Sequence, residues 1–193
     1  WQYYLPGFDL QLNFQPMDFT QINAGINRKI ISQALSLLEL SEDDTVLDLF
    51  CGLGNFTLAA ARRAKKVVGV EGSQEMVIRG SENASLNGLS NIEFHAADLF
   101  QPVSEKDWAA QQYSKIILDP PRSGAIEIIP EIAKLGAKII VYVSCNPATL
   151  ARDAAELISA GYQLRATGVM DMFPHTTHVE SMALFDTGKR PRK

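Results

Sequence analysis

The sequence predicts an α/β fold, with a seven-stranded, mostly parallel sheet whose last strand runs antiparallel and helices between the strands. Three observations predict it. Short unbroken runs of Val, Ile and Leu, such as Lys66-Val67-Val68-Gly69-Val70-Glu71 and Lys138 to Ser144, have the composition of strands buried on both faces. Helical segments alternate with these runs, as right-handed βαβ crossovers require. Only Met170 to His178, without helical pattern, separates the last two runs, so those two strands are expected to be antiparallel.

Each element has a local reason. Phe8 to Phe14 alternates apolar and polar residues, the period of a half-buried strand, and Pro16 ends it. Asn23 to Leu40 reads as a helix, with Ile26, Ile30, Ala34, Leu37 and Leu38 on one stripe. Thr45 to Phe50 is a strand, Phe56 to Ala64 a helix of small residues, and Lys66 to Glu71 a strand. Gln74 to Leu86 is a helix closed by Asn87-Gly88, glycine tolerating the left-handed cap. Strands follow at Asn91–His95, Lys115–Asp119 and Lys138–Ser144, then a helix from Pro147 to Ala160 ended by Gly161, and final strands at Tyr162–Val169 and Val179–Phe185.

The chain has 193 residues, 46% hydrophobic and 21% charged, a size and composition that suit one globular domain. Two cysteines exclude a disulfide scaffold, and no Cys/His zinc pattern is present. No apolar run approaches a membrane span, and the opening residues do not form a signal peptide, so a cytoplasmic protein is expected. A net charge of −4 argues against a stand-alone nucleic-acid binder. The basic tail Lys189 to Lys193 reads as a frayed terminus. His175 and His178 hint at a metal, but no third ligand accompanies them, and none is expected.

The chemistry-bearing segments fall where strands end. Asp48-Leu49-Phe50-Cys51-Gly52-Leu53-Gly54-Asn55 joins the first strand of the alternating series to a helix, the place where open α/β sheets bind ligands. Gly52 and Gly54 allow close approach of a ligand to the backbone. Position 57 is Thr rather than the third glycine of a dinucleotide fingerprint, which disfavours NAD. Glu71 at the end of the next strand can accept ribose hydroxyls, and Asp98 after the third can read an adenine amino group. Together these fit S-adenosylmethionine (SAM); the plain alternative is a tight turn with surface acids.

Asp119-Pro120-Pro121-Arg122-Ser123-Gly124 presents a rigid loop after the fourth strand, because two prolines fix the backbone. Asp119 there can accept a hydrogen bond from cofactor or substrate. Cys145 stands between a buried strand and a helix, where the helix dipole favours a thiolate, which makes it a candidate nucleophile; the alternative is a small buried hydrophobe. Cys51, inside the glycine loop, reads as structural filler. Glu180 begins a buried strand, and burial would raise its pKa and suit it to proton transfer.

Taken together, Phe19-Thr20-Gln21-Ile22-Asn23, Asp48 to Asn55, Asp119 to Gly124, Ser144-Cys145-Asn146-Pro147 and His178-Val179-Glu180-Ser181 resemble the RNA uracil-5-methyltransferase family. The runs Cys145 to Asp153 and Asp171 to Thr176 resemble its 23S ribosomal RNA branch more than its tRNA branch. The resemblance implies a Rossmann-like class I SAM-dependent methyltransferase fold. It implies SAM binding by Gln21, Phe50, Gly52, Gly54, Asn55, Glu71, Asp98 and Asp119, with Arg122 facing the RNA. It makes Cys145 the nucleophile toward carbon 6 of a uracil and Glu180 the base at carbon 5. Members of this branch also carry an OB-like RNA-binding domain and cluster-ligating cysteines, which this chain lacks. An iron–sulfur cluster is therefore expected only in a part preceding it. Residues 1–20 are expected to be a strand and linker from a longer protein, and 21–193 a monomeric catalytic domain. An RNA cytosine-5-methyltransferase would carry a cysteine in the proline loop, where Arg122 stands instead. A non-catalytic SAM- or RNA-binding module would need neither Cys145 nor Glu180.

Overall fold

The computed structural model describes residues 1–18, 24–171 and 179–188. Its main sheet has seven strands in the order β5-β4-β3-β6-β7-β9-β8. In chain order these are β3 (Thr45–Leu49), β4 (Lys66–Glu71), β5 (Ile92–Ala96), β6 (Lys115–Leu118), β7 (Ile139–Ser144), β8 (Gln163–Asp171) and β9 (Val179–Asp186). The pairings from β5 through β7 are parallel, whereas β9 inserts antiparallel between β7 and β8. This is the predicted α/β architecture with its reversed last strand. The final two strands pair with each other, as their short connection requires.

The helices are α1 (Ala24–Leu38), α2 (Asn55–Ala61), α3 (Gln74–Leu86), α4 (Ile129–Ile132) and α5 (Pro147–Ser159). Two apolar cores form, one on each face of the sheet. Leu47, Leu49, Ile116, Leu118, Ile140 and Tyr142 point to one, and Val46, Val67, Ile117, Val141 and Val143 to the other. The alternation along each strand follows from the two-residue strand period. Ala59, Ala60 and Ala61 are fully or nearly buried, and their short side chains let α2 lie close to the sheet. The sequence reading places no element between β6 and β7; the structure has α4, a single turn beginning around Pro130, followed by a 3-10 turn at Ala133–Leu135.

The N-terminal segment differs from the expected single strand over Phe8 to Phe14. It is a hairpin of β1 (Gln2–Leu5) and β2 (Leu10–Asn13), turned by a 3-10 segment at Pro6–Phe8 with Asp9 in the left-handed region at φ 49°. Leu5, Leu10 and Leu12 are buried with Ile31, Leu35 and Leu38 of α1, so the hairpin shares a core with the sheet's helices.

The outer edge of β2 is finished by a helix. The Asn83 carboxamide accepts from the Asn13 amide at 2.8 Å and donates to its carbonyl at 3.0 Å. Asn87 does the same for Gln11, at 2.8 and 2.7 Å. Four residues along a helix rise about 6 Å, and two residues along a strand about 6.7 Å, so asparagines four apart on α3 meet alternate residues of β2. Asn83 is 1% exposed, so its removal empties a buried site and takes the partner from two part-buried backbone groups of Asn13. Asn83→Ala is therefore expected to destabilise the chain by about 1–3 kcal/mol, read from the urea-denaturation midpoint.

Candidate active site

The site is built along the carboxyl ends of β3, β4, β6, β7 and the facing start of β9. Registers Leu49↔Val70 and Leu49↔Leu118 set the glycine loop beside Glu71 on one side and Asp119 on the other. Antiparallel pairing of Ser144 with Ser181 then brings Cys145, one residue beyond, and Glu180, one residue before, to the same sheet end. Gln21 lies outside the described residues, as do His175, His178 and the basic tail.

Gly54 caps α2 at φ 98°, a conformation that side chains rarely adopt, and a Cβ there would lie 2.6 Å from Leu58. Gly52 faces open space. Phe50 takes φ 61°, strained for a residue with a Cβ, and its ring stands 5.7 Å from that of Phe100 in a tilted pair. Phe100 is 40% exposed and forms an aromatic wall with Phe50. Sequence reading missed it; the signal was an aromatic two residues after Asp98.

The polar groups of the loop are held in place. Glu71 accepts from the Gly52 amide at 3.3 Å and the Ser73 amide at 2.7 Å. Asp98 is exposed and accepts from the Phe100 amide at 2.9 Å, which fixes the chain beyond β5. The Asn55 side-chain oxygen accepts from the Tyr3 hydroxyl, which is also bonded by Asn27, so the Asn55 amide nitrogen is the group left to present to a ligand. Tyr3 is a second residue that sequence reading missed, because it acts across the hairpin. Cys51 is buried, and burial followed by the Asp48 and Glu71 charges pushes its thiol well up, as befits a structural residue.

Asp48 is fully buried beneath this loop. Its Oδ2 accepts from the Thr57 hydroxyl at 2.6 Å, and its Oδ1 has no hydrogen-bond partner among the described residues. Burial pushes its carboxyl up to about 7, with the Glu71 charge adding to the shift.

A second group gathers around Cys145. Glu180 is buried, while Arg122 and Cys145 are exposed. Burial raises Asp119 well above the carboxylate range, and the Glu180 and Asp48 charges raise it further. The raised carboxyl sits within the same cluster as Glu180 and Asp48, where the sequence suggests a hydrogen-bond acceptor. The Cys145 thiol is also raised, first by desolvation and then by Glu180 and Asp119, against a smaller lowering by Arg122. The expected lowering of the thiol is outweighed by desolvation first and these carboxyl groups second. No group of three or more His, Cys, Asp or Glu among the described residues could hold a metal, and no described helix is long and apolar enough to cross a membrane.

These shifts carry two predictions. Asp119→Asn removes one negative neighbour and is expected to speed alkylation of Cys145 by iodoacetamide at pH 7, while Cys51 stays unmodified, as peptide mass spectrometry reads. Asp48 stays protonated in the folded chain up to about 7 but ionises near 3.8 once unfolded, so stability falls as pH rises through that window and is flat above it. Asp48→Asn is expected to lessen that fall, with the raised Asp119 carboxyl keeping its own share, measured by urea titrations at both ends of the window.

A model of the tRNA (Uracil-5-)-methyltransferase family matches residues 7–187. The chain is 63% identical over 185 residues to the 23S rRNA (uracil(1939)-C(5))-methyltransferase RlmD of Alcanivorax borkumensis, covering 96% of this chain and 42% of that protein. It is 59% identical to the RlmD of Hahella chejuensis, covering 95% and 42%. The chain therefore spans about two-fifths of the length of these curated relatives. Among solved structures it resembles the Pyrococcus abyssi tRNA (uracil-54, C5)-methyltransferase in complex with S-adenosyl-L-homocysteine. The TM-score is 0.81 and the identity 28%, covering 96% of this chain and 44% of that one. With its sheet order, its glycine loop and the Cys145–Glu180 strand end, the chain belongs to the tRNA (Uracil-5-)-methyltransferase family.

Proposed function

We propose that residues 21–193, with the hairpin of residues 2–13 packed into their core, form the catalytic domain of a SAM-dependent RNA uracil-5-methyltransferase acting on 23S ribosomal RNA. The observation that carries this reading is the β7–β9 register, which puts a buried carboxylate, Glu180, beside an exposed cysteine, Cys145. The greater identity to the ribosomal RNA enzymes than to the tRNA enzyme supports the choice of RNA. Arg122, where a cytosine-5 enzyme would have a cysteine, supports uracil.

SAM fits the first half of the site. Gly52 leaves open space over the loop, Phe50 and Phe100 offer an aromatic wall, and Asn55, Glu71 and Asp98 supply polar groups, with Gln21 assigned by family resemblance. When bound, it supplies the methyl group that carbon 5 receives. The chain's own residues do the rest. Carbon 5 of uracil is a poor nucleophile, so Cys145, having lost its proton to solvent, adds as the thiolate to carbon 6 and turns the ring into an enolate. Asp119, whose carboxyl its surroundings raise, offers a hydrogen-bonding group to the ring or to SAM. Glu180 then takes the carbon 5 proton, the carbon 6–sulfur bond breaks, and the thiolate leaves. The target base must leave its stack to reach these groups.

In the intact protein, Cys145→Ala is expected to keep SAM binding and lose methyl transfer, followed with tritiated SAM on 23S rRNA and tRNA fragments. Wild type should form a covalent adduct with 5-fluorouridine RNA, and Glu180→Gln should accumulate enzyme–RNA complex on the normal substrate. Preferential labelling of tRNA would reassign the substrate, and absence of any adduct would remove the covalent step.

A further inference from the structure

One buried ionisable group takes no part in the chemistry just described. Asp153, on α5, is 0% exposed. Its Oδ2 accepts from the Tyr142 hydroxyl at 2.6 Å and the Ala125 amide at 2.8 Å. Its Oδ1 accepts from Arg152 Nε at 3.0 Å and forms an ion pair with Nη2 at the same distance. A buried carboxylate is costly unless it is paired and fully hydrogen-bonded, and here both oxygens are engaged and a guanidinium balances the charge.

The partners lie on separate elements that converge on the active site. Tyr142 is on β7, just before Cys145. Ala125 directly follows the loop Asp119 to Gly124. Arg152 also donates to the Ser123 carbonyl at 2.9 Å, so one guanidinium ties helix and loop together. Nearer the helix start, the Thr149 hydroxyl and the Asn146 side-chain Nδ2 both donate to the Arg122 carbonyl at 3.1 Å. Asn146 is the N-cap of α5 and immediately follows Cys145. Gly124 completes the seam: at φ 82°, a Cβ there would lie 2.6 Å from Asp153 Oδ2 and 2.6 Å from Arg152 Nη2, so only glycine lets loop and helix come this close.

We propose that Asp153 is a positioning residue: through Arg152, Ala125 and Tyr142 it locks the loop that carries Asp119 and Arg122 to the helix that begins beside Cys145. The reason is geometric. The nucleophile and the groups that hold the pyrimidine come from two separate βα connections, each free at its tip. Addition to carbon 6 needs sulfur and ring held within a fraction of an ångström of their productive separation, and the clamp supplies that constraint. It lies on the substrate side and leaves the glycine loop, Glu71 and Asn55 untouched. The proposal rests on the reading of Cys145 as the nucleophile.

The test uses Asp153→Asn and Thr149→Val in the intact protein. An amide at position 153 opposes one of its donors with a donor of its own, and valine at 149 removes one loop bond from a half-buried site. Asp153→Asn is expected to lower kcat and the rate of adduct formation with 5-fluorouridine RNA on the order of 100-fold. S-adenosylhomocysteine affinity should fall far less than kcat, since only Asp119 of the cofactor residues lies on the clamped loop, and hydrogen exchange should quicken at the Ala125 amide. Thr149→Val should give a smaller loss of the same kind. Wild-type adduct and turnover rates in a folded Asp153→Asn protein would overturn the proposal. So would a loss of cofactor affinity that parallels the loss of kcat, which would mark a general structural role. If Asp153→Asn does not fold, unchanged rates in Thr149→Val overturn it. If wild type forms no adduct at all, the covalent reading fails, while the effect of Asp153→Asn on methyl transfer still decides the positioning role.

Discussion

Parallel pairing of β3 with β4 on one side and β6 on the other is the constraint from which the site follows. Parallel neighbours point their carboxyl ends the same way, and the connections on the two sides of β3 leave in opposite directions. A crevice opens where they part. The glycine loop after β3, Glu71 after β4 and the proline loop after β6 meet there because the ladder fixes their strands in register, not because they attract one another.

They do the reverse: the carboxyl groups of Asp48, Asp119 and Glu180 come together in a poorly solvated place, where negative charges penalise each other. The penalty shows as raised carboxyl groups, up to about 7 at Asp48 and well above the ordinary value at Asp119. Arg122 relieves part of it at Cys145, though less than the carboxyl groups impose. A fold selected only for stability would have little reason to gather these groups. Their clustering at a strand end beside an exposed cysteine has the character of a site whose residues are kept for chemistry.

Positioning falls to residues outside this cluster, and they work across long sequence separations. Tyr3 in the hairpin orients Asn55 on α2, Asn83 and Asn87 on α3 anchor that hairpin, and Asp153 ties α5 to the proline loop. Each is an ordinary polar residue in sequence. Asp153 reads as one more charge in a helix, and only its complete burial sets it apart. Phe100 and Tyr3 were equally silent, since an aromatic residue in a loop or edge strand has many uses.

Much of the chain was legible without coordinates. Unbroken Val and Ile runs marked the buried strands, Asn87-Gly88 and Gly161 marked helix ends, and the missing helix before β9 marked its reversal. The glycine loop, the proline loop, Cys145 and Glu180 stood out because their residue types are unusual at strand ends. The hairpin was only half visible, since β1 lacks a clean alternation, and α4 was too short to show a period. What the sequence alone could not decide was adjacency. That β9 inserts beside β7, so that Glu180 meets Cys145 in register, depends on hydrogen bonds between segments more than thirty residues apart. Local pattern determines which segments become strands and which face is apolar. Only the assembled sheet determines which strand ends share a crevice, and with it the environment of Asp119 and the reach of Asp153.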